Sequence, residues 1–382
     1  MIYLFNSAYR ALYTRNVLNT LFIPQGGTNE YRYTVQLSIA PDSYETLKNS
    51  PSGTPVVIVF IDRFAKTGYR YHPLRLATLV KPREDAGRLY FRVRLGDFVA
   101  PRDSEAFNRD IVKCLGSMGL PSLKDNDPYR MDDGYYAIEA GRLFARTPDF
   151  LWGEDGWRRT VDELRQTQAF GGPVNFVATS HKDDIEKKEF LFLRCDIRRK
   201  STDSRGILPR LRNDRAVFDL IRGARYEFLL SYCYPSQQDN PTHTGIIEGE
   251  FGENLRTFGS SAVNVDSSSN SVALPFATKR HLEDYEDGVT FKFRSNQSGY
   301  QLIGPDSRLS FEFKESRLFW LQLGIVLLLF SLLTAFIGLD LSRISPLTAS
   351  AAAKAVWPKF VAGFLQAGVL FWMFRLVGKK FL

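Results

Sequence analysis

The chain has 382 residues, 50 Lys and Arg against 42 Asp and Glu, a formal net charge of +8 and three cysteines. The odd, small number of cysteines excludes a disulfide framework and fits a reducing compartment. The charge is unevenly placed: residues 1–312 hold 42 basic and 40 acidic residues, whereas from Phe313 onward eight basic residues stand against two acidic ones. That tail favours an anionic lipid surface, and no general binding to DNA is expected.

The N-terminus, MIYLFNSAYRALYTR, is interrupted by Arg10 and Arg15 and lacks the continuous core of a secretory signal. Leu12, Val17, Leu18 and Leu21 recur at helical spacing, which predicts a helix over residues 7–22. Strands follow. Tyr31–Leu37 alternates aromatic and polar residues, Pro55–Ile61 is an apolar run, and LRLATLV and RLYFRVRL flank a turn around Asp85-Ala86-Gly87. The pattern becomes helical over Arg102–Leu115 and again over Asp155–Phe170, where Trp157, Val161 and Leu164 share a side.

A boundary is placed near residue 171, at Gly171-Gly172-Pro173, dividing an α+β domain (1–170) from a strand-rich one (171–313). The latter reads as short strands: VNFVATS, EFLFLRCDI, AVFDLI, YEFLLSYCY, GIIEGEF, SVALPF, VTFKF, YQLIG and LSFEF. Closely spaced strands with polar turns predict a β-sandwich or a barrel, in an overall α+β fold rich in strand. His181–Glu189 reads as an exposed turn of mixed charge, and Asn264–Ser271 as a surface loop.

Residues 318–339, LFWLQLGIVLLLFSLLTAFIGL, form 22 uncharged residues, enough to cross a hydrocarbon core of about 30 Å. A second apolar run, 356–377, holds Lys359 and Arg375 near its ends, where basic side chains can snorkel, with Trp357, Trp372 and Phe374 at the same levels. Together, 314–382 reads as a transmembrane hairpin. Lys314, Arg317, Arg375, Lys379 and Lys380 flank its outer ends, against Arg343, Lys354 and Lys359 in the connector, which places both chain ends in the cytoplasm.

Gly324, Ser331, Ala335 and Gly338 put small side chains on one face of the first span, and Gly363 and Ala367 make a small-xxx-small step in the second. Gln366 lies beside that step near mid-span, where an amide needs another helix or water. This pattern predicts close helix packing, within one hairpin or between subunits of a homo-oligomer, or the lining of a pore.

Signatures of chemistry are missing. There is no GxxxxGK[ST], GxGxxG, HExxH, CxxC or GxSxG. His72, His181, His243 and His281 lack metal-ligand spacing, and Cys195 and Cys233 sit in apolar strand-like runs, so no enzyme, metal or cofactor is expected. The candidate ligand or partner site is the Tyr69–Arg75 segment, with Arg70, Tyr71 and Arg75, beside Arg88, Tyr90, Arg92 and Arg94, which share one strand face by their spacing of two. Arginine and tyrosine on one face can fork onto a phosphate and stack on a base.

The order of parts, a cytosolic region before a minimal C-terminal membrane hairpin, resembles the membrane effectors of bacterial anti-phage systems, including Hailong-type effectors governed by a nucleotidyltransferase partner. The resemblance covers that order and no motif. It implies an inner-membrane protein whose sensor region, bound by a nucleotide-derived ligand or that partner, controls assembly or opening of its helices to permeabilise the bilayer. The alternatives are a membrane-tethered adaptor without channel activity, or an enzyme tethered near its substrate.

Overall fold

The computed structural model describes residues 1–7, 11–35, 41–62, 70–117, 135–137, 150–167, 169–170, 187–200, 206–233, 244–266, 270–279, 286–315, 317–337 and 361. The fold is α+β and rich in strand. It divides into a main compact unit (1–219, 225–277 and 287–312) and a smaller one (220–224, 278–286 and 313–382). The main unit therefore contains most of both strand-rich halves.

In the first half, β1 (Ile2–Ser7), β2 (Thr28–Thr34), β3 (Pro55–Asp62), β4 (Arg70–Asp85), β5 (Arg88–Pro101) and β6 (Tyr135–Ala137) form a mixed sheet in the order β2-β5-β4-β3-β1-β6, with β7 (Phe150–Trp152) on β5. β1 runs parallel to β3, and β4 and β5 form the long antiparallel hairpin. β1 carries Tyr3 and Phe5 toward a cluster with Val57, Val59, Tyr71, Val99, Phe107, Ile111 and Phe150. Phe107 and Ile111 are a helical turn apart on α3 (Ser104–Ser117), so burying them holds that helix on the sheet.

Three other helices are α1 (Ala11–Phe22), α2 (Pro41–Lys48) and α4 (Gly153–Gln166). α4 buries Trp157, Thr160, Val161 and Leu164, the helical stripe expected from its sequence.

The second half has two larger open sheets. One is six-stranded, in the order β10-β11-β19-β17-β13-β15: Arg210–Arg212, Arg215–Ile221, Leu309–Lys314, Glu286–Ser295, Gly245–Phe251 and Ala262–Val265. The other is four-stranded, in the order β14-β16-β12-β9: Leu255–Thr257, Asn270–Thr278, Arg225–Cys233 and Phe192–Arg199. They meet through phenylalanine rings. Phe228 of the four-stranded sheet lies 5.6 Å from Phe291 and 6.0 Å from Phe251 of the six-stranded one, with Phe276 stacked on it at 4.5 Å.

Among the described residues no sheet closes on itself, so the barrel alternative is corrected: the ends of each strand order are edges. Two polar stretches also differ from expectation. Lys187–Phe190 of the supposed exposed turn is a strand, β8, pairing in parallel with β18 (Tyr300–Ile303), and Glu189 is buried. Asn264 and Val265 end β15, and Asn270 begins β16. Residues 174–180, expected as the strand VNFVATS, lie outside the described residues. Cys195 and Cys233 are buried free thiols, as small apolar side chains in strands; burial pushes both thiols up, Cys233 to about 11.

In the smaller unit the Arg222 amide donates to the Lys314 carbonyl at 2.9 Å, and the Arg222 guanidinium meets Glu315 at 2.5 Å. α5 (Arg317–Ile337) follows, with 21 residues of helical backbone; its side chains are described over 319–329 and at Ser331. Phe319, Trp320, Leu321, Ile325, Val326, Leu328 and Leu329 are exposed on it. Among the described residues no helix is long and apolar enough to cross a membrane. The Ala335 side chain, Gly338, Gly363, Gln366 and Ala367 lie outside the described residues, as does the second expected span apart from Val361.

Candidate functional site

The hairpin of β4 and β5 turns at Ala86 and Gly87, whose φ values of 48° and 71° are those of a type I′ turn. That turn sets Asp85 opposite Arg88 and fixes the register along both strands. On β5, Leu89, Phe91, Val93 and Leu95 point into the core, while Arg88, Tyr90, Arg92 and Arg94 line the opposite face, as the alternation in the sequence requires.

Register adds residues that spacing alone does not show. Across β2, Arg32 is opposite Tyr90, and Glu30 is opposite Arg92. Across β4, Arg83 is opposite Tyr90, and Lys81 is opposite Arg92. Directly opposed residues share a face, with Cβ atoms roughly 5 Å apart. Lys81 reaches this face only because of a bulge: Leu79 pairs with Val93, Lys81 pairs with Arg92, and Val80 is the additional residue.

The face thus gathers Arg32, Lys81, Arg83, Arg88, Arg92 and Arg94 around Tyr90, against Glu30 and Asp85. Arg83 stacks on the Tyr90 ring at 4.4 Å, Arg92 pairs with Glu30 at 2.7 Å, and Arg94 donates to the Gly26 and Pro209 carbonyls at 3.3 and 3.1 Å. Gly26, at φ 82°, holds the left-handed turn that aims its carbonyl there. Arg32, Lys81 and Arg88 are exposed and take no hydrogen bond or ion pair among the described residues. Such a face offers three held cations, three available ones and one aromatic ring to an anion.

The remaining candidates lie elsewhere. Tyr71 belongs to the core cluster. Arg70, at the start of β4, pairs with Glu105 at 2.8 Å. Arg75 is fully buried: its Nε donates to the Gly96 carbonyl at 3.0 Å and one Nη to the Thr20 carbonyl at 3.1 Å, with further bonds to Ile23 and Gly96. It ties α1 and the backbone of β5 at Gly96 to β4. Burial pushes its guanidinium down to about 9, which leaves it charged at neutral pH.

A second polar place is a cavity of about 330 Å³ lined by Asp62, Arg70, His72, Arg102, Ser104 and Glu163, among others. Glu163, only 10% exposed, accepts hydrogen bonds from His72 Nδ1 at 2.9 Å and from Ser104, and pairs with Arg159 at 3.0 Å. Burial raises its carboxyl, but the bonds from His72 and Ser104 and the charges of His72 and Arg159 outweigh that and hold it below the usual range. From sequence His72 is set aside for lack of metal-ligand spacing, and its pairing with Glu163, 91 residues away, leaves no local pattern to read. Among the described residues no group of three or more His, Cys, Asp or Glu is placed to hold a metal.

Compared with known proteins, the chain matches no family model and no curated protein.

Proposed function

We propose that the chain is a membrane effector in which the basic sheet face is the control surface and the C-terminal helices are the output. The observation that carries the first part is the cross-strand gathering of six cations around Tyr90, which suits a nucleotide-derived ligand or the acidic surface of a nucleotidyltransferase partner. The second part is supported by the uncharged stretch 318–339 and by the exposed apolar side chains on α5. In this reading the helices associate into a homo-oligomer in the bacterial inner membrane, both chain ends stay in the cytoplasm, and ligand occupancy sets whether the bilayer leaks. A role in anti-phage defence follows the resemblance in order of parts.

Conductance or dye release from liposomes holding the full chain tests this, with a chain ending at Lys314 as the control. The full chain should permeabilise, and an anionic ligand at the basic face should change the rate. A pure tether stays silent under every condition and would return the protein to the adaptor reading.

A further inference from the structure

The hairpin of β10 and β11 turns at Asn213 and Asp214, whose φ values of 50° and 63° are those of a type I′ turn, so its strands are held in tight register. One side of it is fastened beside the basic face. Arg94 Nη2 donates to the Pro209 carbonyl and the Ala216 amide donates to Thr28 Oγ1, each at 3.1 Å. Thr28 and Arg94 stand opposite one another in the β2–β5 ladder, so both bonds leave that sheet at one place. Pro209 also lies against the Gly26 turn, its ring 3.0 Å from where a Gly26 Cβ would be.

The other side is fastened to β19. Arg210 and Arg212 both pair with Glu312, Arg212 at 3.1 Å, and Arg210 also meets Asp219 at 2.8 Å. β19 ends at Lys314, and α5 begins at Arg317. The hairpin thus spans from the sheet that carries the basic face to the strand that precedes the apolar helix.

The two fastenings are unlike. At Glu312 two guanidinium groups converge on one carboxylate. At Arg94 the cation rests on neutral carbonyls, of Gly26 at 3.3 Å and Pro209 at 3.1 Å, and no carboxylate pairs with it among the described residues. Arg92, two positions earlier on the same face, already has Glu30. A fork onto a phosphate is short, bidentate and charge to charge, and it outweighs separate bonds to two carbonyls. An anion on this face therefore competes with Pro209 for Arg94.

We propose that Arg94 is a latch: an anion on the basic face draws its guanidinium off the Pro209 carbonyl, and the β10–β11 hairpin, loosened at that end, passes the change through Glu312 to β19. This rests on the control-surface reading above and names the residue through which occupancy leaves the face. Arg94 acts here as a positioning residue, and the hairpin is the moving part.

Hydrogen–deuterium exchange on the purified full chain tests this, with sodium tripolyphosphate as the probe and its affinity measured alongside by calorimetry. Saturating probe should speed exchange of the backbone amides of residues 210–217 at least fivefold and alter exchange over 309–314, whereas an anion that merely rested on the face would slow exchange or leave it unchanged. Arg94→Ala should show the fast exchange over 210–217 without probe and lose the response to it. Glu312→Gln should bind the probe as the parent does and still loosen the hairpin, while exchange over 309–314 no longer responds. Probe binding with no faster exchange over 210–217 overturns the latch and leaves the control surface standing, as does parent-like exchange in Arg94→Ala. A response over 309–314 that survives Glu312→Gln overturns the route to β19. Failure of the probe to bind removes the control surface and the latch with it.

Discussion

Arg75 and Phe98 stand opposite one another in the β4–β5 ladder, with the guanidinium carbon 4.3 Å from the ring centroid. The pair shows how a buried cation is tolerated with no carboxylate hydrogen-bonded to it: backbone carbonyls take its hydrogens, an aromatic face lies against it, and the charges of Asp97 and Asp196 favour it from nearby. Removing Arg75 orphans the carbonyls of Thr20, Ile23 and Gly96 together. Arg75→Ala should therefore cost about 3–5 kcal/mol, measured by urea unfolding of the main unit. Arg75→Lys should recover little, because an ammonium cannot fork onto carbonyls placed on two sides.

The exposed cations of the basic face should behave in the opposite way. Replacing Arg32, Lys81 and Arg88 by Ala should leave melting within about 0.5 kcal/mol of the parent, since none has a partner to lose among the described residues. Binding of a nucleoside triphosphate or a short oligonucleotide should weaken about tenfold or more, a change of about 1.4 kcal/mol per decade. The salt dependence should flatten as well. Arg92→Ala should add a loss of about 1 kcal/mol or less in stability, because its pair with Glu30 is part exposed. Unchanged affinity in the triple variant would remove the control surface from the model.

Glu163 makes the fold sensitive to acid. Its folded carboxyl lies below the ordinary value of 4.5, so between that value and the lower folded one the unfolded chain binds more protons and stability rises with pH. The contribution is complete above the ordinary value and is lost as pH falls through the folded one. Glu163→Gln should cost about 2–3 kcal/mol at pH 7 and flatten the acid limb of a melting-temperature profile. Parallel acid limbs in the two proteins would show that the carboxylate does not carry this dependence.

Gly324 separates assembly from folding. A side chain built at Gly324 meets nothing within 4 Å, so Leu fits on this helix. Any loss in Gly324→Leu must then come from a second helix that needs the missing bulk. Smaller oligomers on crosslinking and reduced permeability should appear together, at unchanged melting of the main unit. Gln366→Leu should insert at least as well as the parent while permeability falls, because a mid-span amide is removed. If both variants leak and assemble like the parent, the hairpin is an anchor.

What could be read from the amino acids followed the distance over which each feature is encoded. RLYFRVRL carries its own alternation, and Asp85-Ala86-Gly87 its own turn, so the outward face of Arg88, Tyr90, Arg92 and Arg94 was legible within one strand. Its other half was not. Arg32, Lys81 and Arg83 join it through pairing between strands, and no local pattern states which residue of β2 meets Tyr90. Arg75 reads like any other arginine in RYHPLR; only the carbonyls brought by α1 and β5 make it a core residue. β1 was missed because its apolar run IYLF is short and has no period to mark it.

The bulge at Val80 has a genetic consequence. Because β4 changes phase there, Leu79 faces the core while Lys81 and Arg83 face outward two and four positions later. Most point changes at residue 80 leave that arrangement intact. Loss of the codon does so too, since it removes only the unpaired residue and leaves Lys81 opposite Arg92; what reverses the arrangement is drawing Val80 into the ladder, which would set Lys81 and Arg83 inward opposite Phe91 and Leu89 and turn Pro82 outward. The hairpin can thus drift in composition along its open face and can lose a residue at this point, whereas pairing Val80 in the ladder at full length is as damaging as burying two unpaired cations.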